Sequence, residues 1–103
     1  MHMSSTDYLK LLAANDAIIV LERAVPLGHL KRDMATIRSR DGRYLGMSVP
    51  MGFRTSQVEV PIEVLNDFTR ASFARQIGEP AADGTVAYEL TEDGRKRGLA
   101  TAA

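Results

Sequence analysis

Residues 58–94 carry the strongest periodic pattern in this sequence and constrain its fold more than any other stretch. Pro61 suits a first helical turn, where its missing N–H is not needed. After it, apolar residues recur at steps of three and four, the spacing of one helical face: Val64, Leu65, Phe68 and Ala71. Ser72 falls where such a helix should stop. The pattern therefore predicts a helix over residues 61–71 with this apolar face in the core.

The same stretch continues as two extended runs separated by turn residues. The first run covers residues 73–77, and the second covers residues 85–90, where apolar side chains alternate with polar ones. Asp83-Gly84 between them is typical of a tight hairpin, because it supplies the positive-φ positions that such a turn needs. Thr91 follows as the cap of a last helix with an acidic first turn. We therefore predict a C-terminal hairpin followed by a helix.

This order of helix, hairpin and capped helix, with an Asp-Gly turn and the run Y-E-L-T-E-D-G-R, resembles the second half of small bacterial winged helix-turn-helix domains. The resemblance implies a winged helix-like fold with the C-terminal β-hairpin as the wing. Together with a β-ribbon that the sequence inserts before the third helix, this predicts an α+β fold. It also implies a cytoplasmic DNA-binding protein that regulates transcription. Because winged helices also serve as protein-docking scaffolds, the resemblance leaves a second class of function open.

The N-terminal part of the sequence predicts a helix with one apolar stripe. Ser4 followed by Asp7 approximates a capping box, which marks a helix start. The stripe runs on to Leu21 and contains Tyr8, Leu11, Leu12, Ile18 and Ile19. Asn15-Asp16 interrupts the stripe and leaves open a break into two helices.

Residues 26–34 are predicted to form a second, short helix. Leu27, Leu30 and Met34 fall on one helical face, and a proline begins the segment. His29 lies in this segment without a cysteine or a carboxylate at ligand spacing. We therefore expect neither a metal-binding nor a catalytic role for it.

From residue 35 the periodicity changes to that of extended structure. Asp41-Gly42 is typical of a hairpin turn, here between residues 36–40 and residues 43–49. Residues 53–60 indicate one more short strand before the helix over residues 61–71. These strands are the inserted ribbon of the predicted fold.

The length of 103 residues gives room for one domain with one modest core. We expect a single winged helix-like domain over residues 1–103. Residues 1–3 are expected to be a cloning remnant and the start methionine, and residues 101–103 a tail. Because the sequence has no cysteine, disulfides and thiolate zinc sites are excluded, and a small core gains from a partner subunit. We therefore expect a homodimer. No apolar run is long enough to span a bilayer, so we expect a cytoplasmic protein without membrane contact.

No pattern typical of an active site is present. The eight glycines are scattered in turns and do not have the spacing of a phosphate-binding loop. Two carboxylate pairs, Glu63 with Asp67 and Glu92 with Asp93, are explained by helical surface charge and by helix capping. We therefore predict that the protein is not an enzyme and uses no cofactor and no metal.

Charge is balanced overall, with 13 basic and 13 acidic residues, but it is unevenly distributed. Residues 31–54 hold six basic residues against two acidic ones, and residues 55–94 hold two against eight. If the chain binds DNA, its affinity comes mainly from basic clusters that neutralise phosphates, with polar side chains of the predicted helix near the groove. The predicted DNA-binding residues are Lys31, Arg32, Arg38, Arg40, Arg43, Arg54, Asn66, Thr69, Arg70, Arg95, Lys96 and Arg97.

The acidic character of the predicted recognition helix supports an alternative function. Glu63 and Asp67 would face a polyanion, and carboxylates make only a minority of base contacts. The alternative is a protein–protein interaction module, such as an adaptor, an antitoxin-like partner or an anti-activator, whose acidic helix over residues 61–71 meets a basic protein surface. Both hypotheses are compatible with the sequence.

Overall fold

The computed structural model describes residues 4–40, 46–48 and 55–100. In this part of the chain the elements are α1 (Ser5–Asn15), β1 (Ile18–Leu27), β2 (Leu30–Arg38), β3 (Gly46–Ser48), β4 (Thr55–Gln57), β5 (Glu59–Val60), α2 (Ile62–Arg70), β6 (Ala74–Ile77), β7 (Val86–Leu90) and α3 (Glu92–Ala100). Five strands form an antiparallel sheet in the order β5-β2-β1-β7-β6, and β3 pairs with β4 separately. The fold is therefore α+β with a central antiparallel sheet.

The two faces of the five-stranded sheet differ. Helices α1 and α2 pack against one face, and α3 packs on α1. The core on this side includes Tyr8, Leu9, Leu12, Ile19, Leu21, Ile37, Val60, Leu65, Phe68 and Leu90. Strand residues that alternate with the core residues point to the opposite side, here called the outer face: Ile18, Val20, Glu22, Met34, Thr36, Arg38, Glu59, Arg75, Ile77, Ala87 and Glu89.

The start of α1 confirms the predicted capping box, but its end differs from the prediction. Ser4 Oγ accepts from the Asp7 N–H at 3.2 Å, and Asp7 Oδ2 accepts from the Ser4 N–H at 2.8 Å. The helix ends at Asn15, because Asp16 adopts a left-handed conformation with φ 48°. The prediction that the helix continues to Leu21 is therefore wrong. Its last residues, Ile-Ile-Val-Leu, form the start of β1, where β-branched side chains pack well.

The second predicted helix, over residues 26–34, is also wrong, because this segment is the turn of the β1–β2 hairpin. Leu27 lies directly opposite Leu30, and Gly28 has a φ of 66°. A positive φ at the first central position is typical of a type II′ hairpin turn, and glycine adopts it without strain.

These changes overturn the predicted winged helix-like arrangement, although the α+β class is correct. A hairpin in the middle of a five-stranded sheet stands where a helix-turn-helix needs its second helix. In the described part of the predicted ribbon, β3 pairs with β4 and not with β2, because β1 and β5 occupy the two edges of β2. The predicted Asp41-Gly42 turn lies outside the described residues.

The predicted helix and the hairpin that follows it are confirmed in part, because the helix spans Ile62–Arg70 and Ala71, predicted for the core face, is its exposed C-cap. Leu65 and Phe68 of α2 are each 2% exposed. Strand β6 pairs with β7, within the two runs predicted to form the hairpin. Ser72 stops the helix with a φ of 61°. However, β7 also pairs with β1, so this hairpin is part of the central sheet and not a separate wing.

Helix α3 approaches its neighbours through two buried glycines. Thr91 caps it as predicted, since its Oγ1 accepts from the Gly94 N–H at 3.1 Å. A Cβ atom on Gly94 would lie 2.0 Å from the carbonyl oxygen of Phe73, and one on Gly98 would lie 2.5 Å from that of Leu9. The close packing of α3 on α1 at Gly98, and on Phe73 before β6 at Gly94, therefore depends on the absence of side chains at these positions.

Candidate interaction site

The β1–β2 hairpin extends beyond the rest of the sheet. Pairing of β7 with β1 ends at Leu21, and pairing of β5 with β2 begins at Ala35. Residues 22–34, here called the projecting ribbon, therefore pair only with each other among the described residues. Among these described residues, the outer backbone groups of the ribbon have no strand partner.

A β-bulge, held by one carboxylate, shapes this ribbon. Arg23 and Ala24 together stand opposite Asp33, and Ala24 has a φ of 53°. The Ala24 N–H donates to Asp33 Oδ1 at 3.1 Å, and Arg23 Nη1 donates to Oδ2 at 2.9 Å. These bonds, the backbone one first, lower the pKa of Asp33. Asp33 thus supplies an acceptor where the bulge interrupts the ladder.

A cleft lies between the ribbon and the start of α2. It has a volume of about 410 Å³ and is lined by Arg32, Asp33, Glu59, Pro61, Ile62 and Glu63. On one side it borders the edge of β2 that β5 leaves unpaired, because the chain turns from β5 into α2 at Pro61. The cleft therefore lies along an open strand edge.

Carboxylates dominate the charge of this cleft. Its single guanidinium, on Arg32, contacts Glu59 Oε1 at 3.0 Å, and Asp33 is held by Arg23. Glu63 is exposed and has no ion-pair partner in the described part of the chain, and it lies in the first turn of α2, where a negative charge is favourable. The lining therefore has one positive and three negative groups, and Glu63 is the carboxylate among them without an ion-pair partner in the described residues.

A second group of charges, here called the corner network, lies where α1 meets β1. It consists of Asp16, Arg40, Arg75, Glu89 and Arg95. Asp16 Oδ1 accepts from Arg40 at 3.2 Å and from Arg95 at 2.9 Å, and Glu89 accepts from Arg40 at 3.1 Å and from Arg75 at 3.0 Å. Hydrogen bonds from Arg40 are the main cause that lowers the pKa of both carboxyl groups.

This network predicts a loss of stability in acid. The ionised carboxylates form the pairs, so their stabilisation is complete above the unfolded-state pKa and is lost as the pH falls through the lower folded-state pKa. We expect urea midpoints to fall below about pH 4, with a smaller fall in Asp16→Asn, which is already less stable at neutral pH. As a control, Glu79→Gln, an exposed loop position, should follow the parent. An equal fall in all three proteins would remove Asp16 from this role.

The described members of the predicted DNA-binding set lie on β2, on α2 and on α3, with Arg40 just after β2. Arg40 and Arg95 both contact Asp16. Arg43 and Arg54 lie outside the described residues. Several others contact carboxylates, namely Arg32 with Glu59, Arg38 with Glu22, Arg70 with Asp67 and Lys96 with Glu92. The Arg97 guanidinium lies 6.0 Å from the centre of the Phe73 ring, and Asn66 and Thr69 are exposed on α2. Lys31 is exposed and has no ion-pair partner in the described residues.

Sequence reasoning missed the residues that form the cleft and balance the arginines. The sequence predicts Glu59 only as part of a strand, and the acidic partners of Arg38, Arg40 and Arg95 come from distant parts of the chain. The spacing of Leu27 and Leu30 at the ribbon tip predicts a helix and not a strand.

Comparison of the chain with protein-family models, with curated proteins and with solved structures found no match. In the described ranges, no three His, Cys, Asp or Glu side chains are grouped so that they could hold a metal ion. Likewise, none of the helices there has the length and apolar character needed to cross a bilayer.

Proposed function

We propose that this chain is a protein–protein interaction module that binds an extended basic segment of a partner protein. The observation that carries the proposal is the acidic cleft of about 410 Å³ beside the unpaired edge of β2. A strand edge offers main-chain hydrogen bonds, and the adjoining cleft offers selectivity for side chains. Both are needed for recognition by strand addition.

The backbone part of this recognition uses the ribbon. An extended segment laid beside residues 30–33 would continue the line of β5 along β2. Its N–H and C=O groups would pair with those that the ribbon leaves unpaired among the described residues, and this pairing is independent of sequence. Backbone pairing alone therefore does not distinguish one partner from another, and side-chain contacts have to supply the specificity.

Charge supplies that selection. Glu59 and Glu63 border the cleft, and the exposed side of α2 adds Asp67 next to its partner Arg70. Lysine or arginine on the bound segment would therefore be attracted, whereas acidic segments would be repelled. This site is a more specific form of the hypothesis that the acidic helix meets a basic protein surface.

The hypothesis of a DNA-binding regulator stays a prediction, but ion pairing weighs against it. A phosphate that binds Arg40 or Arg95 has to replace a carboxylate already in contact, so the net gain per contact is reduced. The chain also has equal numbers of acidic and basic residues. These observations favour a protein partner.

The proposal is tested with two synthetic peptides that alternate valine with either lysine or glutamate. Fluorescence anisotropy should show the lysine peptide binding about tenfold or more tightly than the glutamate peptide. The double variant Glu59→Lys with Glu63→Lys should lose or reverse this preference. A matched control with the same change of charge, Glu79→Lys with Glu92→Lys, should retain it because both residues lie outside the cleft.

Two results would contradict the proposal. One is equal binding of the two peptides by the parent protein. The other is salt-sensitive binding to duplex DNA that is lost in the double variant Arg40→Ala with Arg95→Ala, which would favour a nucleic-acid partner.

A further inference from the structure

The two edges of the projecting ribbon differ in how well they suit pairing with another strand. On the β1 edge, the bulge at Arg23 and Ala24 interrupts the strand, and Pro26 has no N–H to donate. Bulges and prolines protect a strand edge from further pairing. The β2 edge of the ribbon contains no proline, no glycine and no inserted residue. It is therefore the edge that suits another strand.

The direction of the backbone groups along β2 follows from its pairing with the segment before α2. The Ile37 N–H donates to the Val58 carbonyl at 3.0 Å, so the odd-numbered residues of β2 direct their N–H and C=O groups to that side. Lys31 and Asp33 continue the same alternation beyond the end of β5. Each of these two residues therefore presents one donor and one acceptor at the open edge.

The segment that forms this edge has the properties that the acidic cleft selects. Residues 30–34 are extended, and Lys31 and Arg32 outnumber Asp33. Lys31 on the ribbon and Glu63 at the cleft are both exposed, and neither has an ion-pair partner in the described ranges. Side chains two positions apart on a strand share a face, so Lys31 and Asp33 lie on the same side of the ribbon. The edge therefore has a basic half and an acidic half.

We infer that the same edge of a second copy occupies the open edge of β2 until a partner protein displaces it. The inference rests on the proposed function, because both use one edge and one cleft. The two edges pair antiparallel about a two-fold axis at Arg32. Lys31 of each copy then lies opposite Asp33 of the other, and the two residues exchange both backbone hydrogen bonds.

The length of the open edge agrees with this pairing. In the stated register, Leu30 of one copy lies beside Met34 of the other. Pairing stops there on one side because the next residue, Ala35, is already paired with Val60 of β5. It stops there on the other side because the ribbon of the second copy turns at Gly28, which has a φ of 66°. The ribbon end therefore fills the open edge without overlapping β5.

The charges also agree with the two-fold arrangement. Lys31 of the second copy lies opposite Asp33 and adds a positive charge beside the cleft that contains Glu63. At the axis, Arg32 faces Arg32 of the other copy, but each guanidinium already contacts Glu59 at 3.0 Å. The two arginines and the two glutamates therefore form a neutral group.

The first test is cross-linking, since the chain has no cysteine of its own. Arg32→Cys should form a disulfide-linked dimer on mild oxidation, because directly opposed residues at such a position have Cα atoms about 4.5 Å apart, within the range of a disulfide. Lys31→Cys is the matched control, because it is equally exposed on the ribbon. Its counterpart lies two residues away along the opposite strand, more than about 7 Å between Cα atoms, so it should cross-link much more slowly.

The second test measures mass in solution by sedimentation. The parent should be a dimer, and Lys31→Pro should have a dimer dissociation constant about tenfold or more above that of Lys31→Ala. Both variants lose the charge, but only proline loses the N–H at the open edge. That N–H points away from β1, so the ribbon itself keeps its hydrogen bonds. The cross-linking test decides the matter if the proline variant fails to fold.

Addition of the lysine–valine peptide should split the dimer, because peptide and second copy compete for one edge. A parent that is monomeric at high micromolar concentration, equal cross-linking of Arg32→Cys and Lys31→Cys, or peptide bound to an intact dimer would overturn the inference. A monomer that still prefers the lysine peptide would leave the proposed function intact. A dimer cross-linked at position 32 that prefers neither peptide would support the pairing of the edges and contradict the proposed function.

Discussion

Gly94→Ala should lower the free energy of unfolding by about 3 kcal/mol, even though alanine normally favours a helix over glycine by about 1 kcal/mol. The new Cβ would lie 2.0 Å from the carbonyl oxygen of Phe73. That oxygen accepts from the Thr91 N–H at 2.9 Å, so it is fixed between the end of β7 and the start of α3. The backbone on both sides of the contact has to move. The expected loss of stability is therefore at the upper end of the range for overpacking, about 1–3 kcal/mol.

Thermal melting measures this effect directly. In a domain of this size, such a loss corresponds to a fall in Tm of about 12–24 °C. Lys96→Ala, an exposed position on the same helix, is the control and should change Tm little. Gly98→Ala should resemble Gly94→Ala, because its Cβ would lie 2.5 Å from the carbonyl oxygen of Leu9. A Gly94→Ala variant as stable as the parent would show that α3 does not pack this closely.

Phe68→Ala is the second change with a large expected effect, a loss of about 3–5 kcal/mol. Phe68 is 2% exposed and belongs to the core cluster that joins α2 to the sheet. Removal of its ring leaves a cavity that the surrounding strands cannot fill. The loss is comparable with the total stability of many small domains, about 5–15 kcal/mol.

Urea unfolding of this variant should therefore show a much lower midpoint or no folded baseline. Asn66→Ala is the matched control on the same helix, since Asn66 is exposed and its change should alter stability by about 0.5 kcal/mol or less. A Phe68→Ala midpoint close to that of Asn66→Ala would remove the phenylalanine from the core.

The local signals in the sequence were sufficient for some elements. The three- and four-residue spacing around Phe68 identified α2, and Thr91 identified the start of α3. The capping box at Ser4 likewise fixed the start of α1. Each of these signals depends on residues within one turn of each other, which is why one sequence is enough to recognise them.

The β1–β2 hairpin was not predictable from the same rules. Leu27, Leu30 and Met34 satisfy the spacing of a helix, but Leu27 and Leu30 are also the two ends of a two-residue turn. Residues 18–21 are consecutive apolar residues because both faces of β1 are partly covered, and such a run does not distinguish a strand from a helix. Only pairing with distant strands decides between the two.

The candidate site was equally beyond local reasoning. Counting charged residues in consecutive segments of the sequence predicts a basic patch, because such a count omits the acidic residues that the fold brings next to the arginines. Arg95 meets Asp16 across 79 positions, and Arg40 meets Glu89 across 49. The acidic cleft likewise joins the start of α2 to the ribbon edge. Charge patterns along a chain predict a surface only where the fold keeps sequence neighbours together.

The position of β1 in the sheet has a consequence for synthesis of the protein. Its partner β2 follows at once, but its other partner, β7, comes from near the opposite end of the chain, with Ile18 opposite Glu89. On the ribosome the apolar edge of β1 therefore stays open between translation of Leu21 and translation of Val86, for about 3–13 s at a synthesis rate of about 5–20 residues per second. During this time it is exposed to other nascent chains, and an open edge of this kind invites aggregation. The rate of translation therefore sets the shortest time for which this edge is exposed.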